Sequence, residues 1–310
     1  MEIPPRSDDT TWPIWSLPSW LHPRLIADAR FARAYDTLGD QRRALLKALI
    51  ADHFSLTPPE ANLASEHSRQ LASGLTLRAC SRPRPSVLLL TDASLDAPAL
   101  FLAALMPALC SGAADVLVAR LGPRAQLPES LLTACELAGQ ERVAALGPAL
   151  AVRLLTEFAA SGAPGLVLYP DTLGFRRVLR RPALQAQMEV SPLRLVALRP
   201  PRGLGIWRDA PEQFAPERLE FLYAGLSFEA GGAEPGRRTR KAQAGGAFAT
   251  FAATPRDLLL APDARLGSAR SAARLLLGES RTGLWTWPEL STDAFVLKTQ
   301  AISTLPTTLP

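Results

Sequence analysis

Between residues 86 and 170 the chain alternates short apolar runs with longer stretches of helical periodicity. The runs are residues 86–90 (SVLLL), 115–120 (DVLVAR), 142–146 (RVAAL) and 165–169 (GLVLY), each bounded by Gly, Pro or charge. A parallel sheet covered by helices on both faces requires this alternation. The helical stretches carry their own punctuation. Pro98 stands near the start of the first and Ser111-Gly112 closes it. Pro128, with Glu129 beside it, opens the second, and Gly139 ends it. Gly147-Pro148 opens the third and Ser161-Gly162 ends it. Proline is tolerated in a first turn because its missing amide would be unpaired there, and a carboxylate beside it favours the helix dipole. Such a sheet offers a ligand crevice at the carboxyl ends of its strands.

The flanking regions are less regular. Residues 25–55 read as helical. Within them, residues 41–53 (QRRALLKALIADH) set Ala44, Leu45, Ala48, Leu49 and Ala51 against Arg42, Arg43 and Lys47, an amphipathic pattern. A further helix is expected over residues 59–73, with Pro58 and Pro59 at its start. Residues 74–86 read as a linker. Residues 1–24 interleave Trp12, Trp15 and Trp20 with Pro13, Pro18 and Pro23. Proline blocks regular helix, so this is an arm lying on its own domain or on a partner subunit. After Pro170 the pattern predicts a helix over 175–188 interrupted at Pro182, and strands over 193–198 and 204–207. A helix over 217–228, a loop over 231–246, a strand over 247–253 and a helix over 268–277 follow. A final segment with Trp285, Trp287 and Phe295 is expected to pair with a sheet edge. These elements divide the chain into an N-terminal arm and helices (1–75), a sheet domain (76–200), and a smaller second domain with a C-terminal arm (201–310).

Composition narrows the classes. The chain has 310 residues, 47 % apolar and 20 % charged, enough to bury a core. The net charge of +5 is dispersed and argues against nucleic acid as a partner. Cys80, Cys110 and Cys135 have neither metal-ligand spacing nor a disulfide framework, which fits a reducing cytoplasm. Cys80, flanked by Arg78, Arg82 and Arg84, is open to a low-pKa reading. His22, His53 and His67 read as surface or satisfied residues. The longest apolar stretch, residues 97–110, is too short to span a bilayer and contains Pro107, so no membrane partner is expected.

Candidate site residues lie where the strands should end. Asp92 and Ser94 follow the first strand, either to meet a ligand or to cap the next helix. Gly122 and Gly147 follow the second and third strands, and Asp171 and Thr172 the fourth. The densest positive run, Arg237-Arg238-Thr239-Arg240-Lys241, offers donors for phosphate or carboxylate, or else forms a solvated loop. Gly203-Leu204-Gly205 lacks the third glycine of a dinucleotide fingerprint. No pair of carboxylates has a spacing that demands acid–base work.

Residues 131–155 (LLTACELAGQERVAALGPALAVRLL) resemble the second unit of histidinol dehydrogenase. There an Ala-rich helix ends at an Ala-Gly or Cys-Gly pair, and a strand, Gly-Gly-Ala-Gln and another Ala-rich helix follow. Ala138-Gly139, residues 143–146 and Gly147-Pro148-Ala149-Leu150 stand in those places. Residues 100–118 resemble the preceding helix and strand. The arrangement is also similar to the cofactor half of the aldehyde dehydrogenase superfamily. The resemblance implies a Rossmann-like α/β architecture with N-terminal helices and a reduced second α/β domain. It also implies NAD or NADP as cofactor and a homodimer with exchanged arms.

The same resemblance implies zinc and a glutamate–histidine pair in a Ser-Gln-Ala-Glu-His-Gly motif. The nearest stretch here is Ala242-Gln243-Ala244-Gly245-Gly246, in which Gln243 keeps a ligand position while Gly245 and Gly246 replace Glu and His. No histidine follows His67, so no zinc is expected. Aldehyde dehydrogenases take their thiolate from the later domain, yet no cysteine follows Cys135. Phe228-Glu229-Ala230-Gly231-Gly232 is similar to their Glu-Leu-Gly-Gly motif, which makes Glu229 the one catalytic candidate. The expectation is a diverged member without these groups, binding a nucleotide or small anion at the sheet rim or acting as a structural partner. The alternatives are an NAD(P)-dependent oxidoreductase with a non-standard site that includes Glu229 and residues 237–241, and a scaffold dimerising through residues 1–24 and 283–300.

Overall fold

The computed structural model describes residues 13–58, 64–122, 127–233, 244–268 and 270–303. Two helices, α1 (Asp28–Thr37) and α2 (Asp40–Leu56), precede a hairpin of β1 (Ser65–Gln70) and β2 (Thr76–Pro83). The regular unit then runs β3 (Ser86–Thr91), α3 (Pro98–Cys110), β4 (Asp115–Leu121), α4 (Glu129–Leu137), β5 (Val143–Leu146) and α5 (Pro148–Ala160). It continues through β6 (Leu166–Pro170), α6 (Leu173–Leu179), α7 (Pro182–Val190) and β7 (Arg194–Leu198). A second unit holds β8 (Leu204–Arg208), α8 (Pro216–Leu222), β9 (Glu229–Gly232), α9 (Ala244–Ala252), β10 (Arg256–Leu260) and β11 (Ala273–Leu277). The last strand, β12 (Val296–Ser303), follows.

The four predicted strands do lie side by side in parallel. With β7 they form a five-stranded sheet of order β5-β4-β3-β6-β7, a Rossmann-like arrangement. Strand β3 is buried along its whole length, as a central parallel strand should be. Val87 and Leu89 face a core shared with α1 to α4, while Leu88 and Leu90 face one shared with α5, α6 and α7. Helix α3 packs against α2 on its outer side, which explains its nearly all-round apolar sequence. A second parallel sheet has the order β11-β10-β8-β9, and β1, β2 and β12 form an antiparallel third. No described helix is long and apolar enough to cross a membrane.

The described arm residues lie on their own chain. Trp15 stacks 4.5 Å from Phe158 of α5, and the Trp20 indole donates to Glu157. Trp12 lies outside the described residues. Trp285 and Trp287 are also buried in the chain's own core, and the Trp287 indole donates to the Leu100 carbonyl.

Several expectations fail for physical reasons. Residues 65–70 form strand β1 rather than helix, and the supposed linker contains β2. The polar sequence SEHSRQ gives no apolar run to mark a strand, and its pairing with β2 decides its conformation. Residues 247–253, read as a strand, lie largely in α9. Good helix formers prevail there, and Phe248 and Ala252 bury one face at i and i+4. The helix expected over 268–277 is instead strand β11 from Ala273, paired with β10, a strand the sequence reading missed. Helix α8 stops at Leu222, before Gly225 adopts a left-handed φ of 77°. Part of the expected 231–246 loop belongs to β9 and α9, and residues 234–243 lie outside the described residues.

His22 and His67 are exposed, but His53 is neither exposed nor satisfied. It is 2 % exposed in α2, with no partner for Nε2, and burial lowers its pKa to about 4. The native state keeps this imidazole neutral, whereas the unfolded chain protonates it below about 6.5. Stability should therefore fall as pH drops from about 6.5 to about 4, by about 3 kcal/mol from this group. Urea unfolding at pH 7 and pH 4.5 should show a smaller acid loss for His53→Leu than for the parent. Equal losses would exclude His53 as the source.

Candidate functional site

In the five-stranded sheet the chain reverses direction between β3 and β6, so the switch-point crevice lies above these two strands. The turn after β3 carries Asp92. Its Oδ1 accepts the Ser94 amide (2.9 Å) and hydroxyl (2.6 Å), and its Oδ2 accepts the Thr172 hydroxyl (2.7 Å) from the turn after β6. Asp92 thus caps its own turn and also ties the two lips together. Asp171, next to Thr172, forms a bidentate pair with Arg176 (2.6 and 2.7 Å). Arg176 above all, with Arg199 and Arg202, holds the Asp171 carboxyl below its ordinary range. Arg120, at the end of β4, pairs with Asp96 and donates to the Asp92 carbonyl (3.3 Å). Its register neighbour Thr91 is fully buried, with no partner for Oγ1.

One strand further along the rim the character changes. The Gly122 amide donates to the Leu146 carbonyl (3.3 Å), which sets the ends of β4 and β5 beside each other. A Cβ on Gly122 or Gly147 would meet nothing within 4 Å among the described residues. Gly147 is the N-cap of α5, which has no side-chain cap and no acidic residue in its first turn. The first amides of a helix have no partner within it, so this end of α5 presents donors and positive dipole charge.

The predicted residues Asp92, Ser94, Gly122, Gly147, Asp171 and Thr172 therefore share one rim, and Asp92, Ser94 and Thr172 touch. The sequence reading missed Arg120, Arg176, Arg199 and Arg202. Arg120 ends an apolar run as a charge, a signal that marked the strand boundary but was not read as a site.

Glu229 is elsewhere, at the amino end of β9 in the second sheet. It pairs with Arg256 (2.8 Å), whose guanidinium lies 4.1 Å above the Phe251 ring centre. The Arg256 side chain crosses Gly205 so closely that a Cβ there would sit 2.6 Å from Cδ. Gly205 thus makes room for an arginine rather than a phosphate. A Cβ on Gly231 would meet Phe251 and Trp207 at 2.9 Å, so that glycine admits aromatic rings. At the carboxyl end of this sheet Asp209 pairs with Arg265 (2.9 and 3.0 Å), and the Gln213 amide donates to Glu279 (3.0 Å). The next residue, Phe214, holds a φ of 59°.

Arg237, Arg238, Arg240, Lys241 and Gln243 lie outside the described residues. Gly245 and Gly246 fall in the first turn of α9. Cys80 is half-buried in β2, while Cys110 and Cys135 are buried in helices, where desolvation pushes both thiols up. Among the described residues no group of three His, Cys, Asp or Glu side chains could hold a metal ion.

No protein-family model matches the chain, and no curated protein sequence matches it. Among solved structures it is similar to histidinol dehydrogenase from Elizabethkingia anophelis. That match has a TM-score of 0.50 at 10 % identity, over 91 % of this chain and 77 % of the other. It also matches an indole-3-acetaldehyde dehydrogenase, with a TM-score of 0.45 at 11 % identity, over 89 % and 80 % of the two chains. An NAD-dependent benzaldehyde dehydrogenase from Corynebacterium glutamicum matches with a TM-score of 0.36 at 11 % identity, over 59 % and 43 %. The chain has the fold of the histidinol dehydrogenase.

The Asp92 bonds give a test of the rim. Asp92→Ala leaves the Thr172 hydroxyl and the Ser94 amide without their acceptor, at an expected cost of about 1–3 kcal/mol in chemical unfolding. A change within about 0.5 kcal/mol would mean that water replaces the carboxylate freely.

Proposed function

We propose that the protein binds a nucleotide or small anion at the rim of its five-stranded sheet and works without imidazole–zinc or thiolate chemistry. The observation that carries this reading is the uncapped start of α5, with Gly147 and Gly122 open beside it. A phosphate group fits there, because amides and dipole favour negative charge and no described residue lies within 4 Å of where a Cβ on either glycine would stand. It fits poorly above β3, where the Asp92, Asp96 and Asp171 carboxylates gather. A nicotinamide dinucleotide, the cofactor that the sequence resemblance implies, would place its phosphates against Gly147, Ala149 and Leu150. When bound, such a cofactor supplies a hydride acceptor. Among the described residues, Cys80 and His67 lie in the three-stranded sheet and His53, Cys110 and Cys135 are buried in helices, while His22 is exposed on residues 19–24, which pack against β5.

Gly147→Asp separates binding from stability. Asp is a good N-cap, and Gly147 already has the extended conformation a cap requires (φ −75°, ψ 165°). The variant should be as stable as the parent or slightly more so, but its carboxylate would occupy the α5 amides and repel phosphate. In a thermal-shift screen, NAD, NADP or AMP should raise the parent's midpoint, with about 2.7 kcal/mol expected at ligand a hundredfold above Kd. Gly147→Asp should abolish the rise. A parent midpoint unmoved by millimolar dinucleotide and mononucleotide would overturn the reading. A bound dinucleotide that is reduced on adding an aldehyde or alcohol would favour the oxidoreductase alternative.

We also propose that the molecule is a homodimer through its three-stranded sheet. Among the described residues both outer strands of this sheet have an unpaired edge, and Ile302 of β12 is 68 % exposed. An open edge and an exposed apolar residue are what strand pairing between copies uses. Light scattering should give twice the chain mass for the parent and a monomer for Ile302→Lys. A monomeric parent would exclude the dimer.

A further inference from the structure

Away from the rim, a cavity of about 850 Å³ opens between the N-terminal helices, α4 and α8. Helix α4 follows β4 and α8 follows β8, so each parallel sheet sends one βα connection to this place. None of Asp92, Ser94, Gly122, Gly147 or Asp171 lines it. The volume falls within the range of small-molecule sites. One wall is apolar and consists of Leu38, Leu45, Phe221 and Ala224.

The charges on the lining are not equivalent. Glu129 and Glu217 occupy the first turns of α4 and α8, where carboxylates complement the helix dipole. Arg42 and Arg218 are also in the first turns of their helices, α2 and α8, where the same dipole disfavours a cation. Neither forms an ion pair among the described residues. The Arg42 guanidinium instead lies 5.4 Å from the Phe221 ring centre, which holds it over the apolar wall. Arg218 Nε is shielded from solvent and has no acceptor. Local helix energetics therefore explain Glu129 and Glu217 but neither the two arginines nor the exposed Glu220 that also lines the cavity.

We propose that this cavity is a second binding site, for an amphipathic organic anion. The apolar body lies against Leu38, Leu45, Phe221 and Ala224, and a carboxylate or phosphate head meets Arg42 and Arg218. Guanidinium groups recognise both head groups through paired donors. The site does not depend on nucleotide binding at the rim.

Calorimetric titration of the full chain with decanoate, decyl phosphate and decylamine, each below its micelle threshold, tests this. At least one of the two anions should bind with one-to-one stoichiometry, and the anion that binds more tightly identifies the head group. Decylamine, with the same tail and a positive head, should not bind. Arg42→Ala and Arg218→Ala should each weaken the anion by about tenfold or more. Leu45→Trp, which fills the cavity and leaves both arginines in place, should block it. If Arg218→Ala fails to fold, Arg218→Gln keeps the chain length and removes the charge. Gly147→Asp should leave anion affinity unchanged, which distinguishes this site from the rim. The proposal is overturned if neither anion binds, if both arginine variants bind like the parent, or if decylamine binds as tightly as the anions.

Discussion

One guanidinium ties the five-stranded sheet to the antiparallel sheet and the C-terminal segment. Arg84 stands at the junction of β2 and β3, 8 % exposed, and donates to the carbonyls of Ala294 (3.1 Å), Pro164 (3.2 Å) and Gly165 (3.1 Å). Its amide also donates to the Phe295 carbonyl (2.8 Å). No carboxylate among the described residues neutralises it, and burial lowers its pKa to about 10, so it stays charged at neutral pH. A buried charge is tolerated only when its donors are used. Here the acceptors come from the segment entering β6 and from the segment leading into β12. The antiparallel sheet, the five-stranded sheet and the C-terminal segment therefore meet at a point where no substitute side chain could make the same bonds.

The rim lies at the opposite ends of the same strands. Parallel strands end on one edge, so the turns after β3, β4, β5 and β6 collect there without further design. What the sequence adds is a division of labour along the edge. Above β3 and β6, Asp92 and Thr172 hold the lips together with charge-assisted bonds. Above β4 and β5 glycines leave the backbone bare. The rigid half supports the open half. The second sheet fills its glycine-lined spaces with its own side chains, Arg256 over Gly205 and the Trp207–Phe251 pair over Gly231. Glycine thus serves two opposite purposes in one chain, and only the surroundings tell them apart.

This explains which parts were legible. The four strands from residue 86 to 170 announce themselves because their apolar runs are continuous and their helices are punctuated, so local and global signals agree. The rim residues Asp92, Gly122, Gly147 and Asp171 could be located for the same reason, since knowing the strand ends fixes them. Strands β1 and β2 were illegible because a largely exposed sheet needs no apolar pattern. Residues 247–253 misled because Ala and Phe alternate by chance while their helix faces a tryptophan from β8. Glu229 looked like a catalytic base from its neighbours in sequence, yet its partner Arg256 is distant in the chain. The roles of Arg84 and Arg218 depend on carbonyls and cavities that no linear pattern records.

The antiparallel sheet has a consequence for how the molecule is made. Its central strand β2 pairs with β1 immediately, but its other partner, β12, is synthesised only after both parallel sheets. A lone hairpin is marginal in water, and pairing over so long a separation is slow. On the ribosome, residues 65–83 must therefore wait with one bare edge while everything else condenses. Closure of that edge marks the end of folding, and a chain interrupted before residue 296 would carry a complete five-stranded sheet alongside an unsealed, adhesive strand.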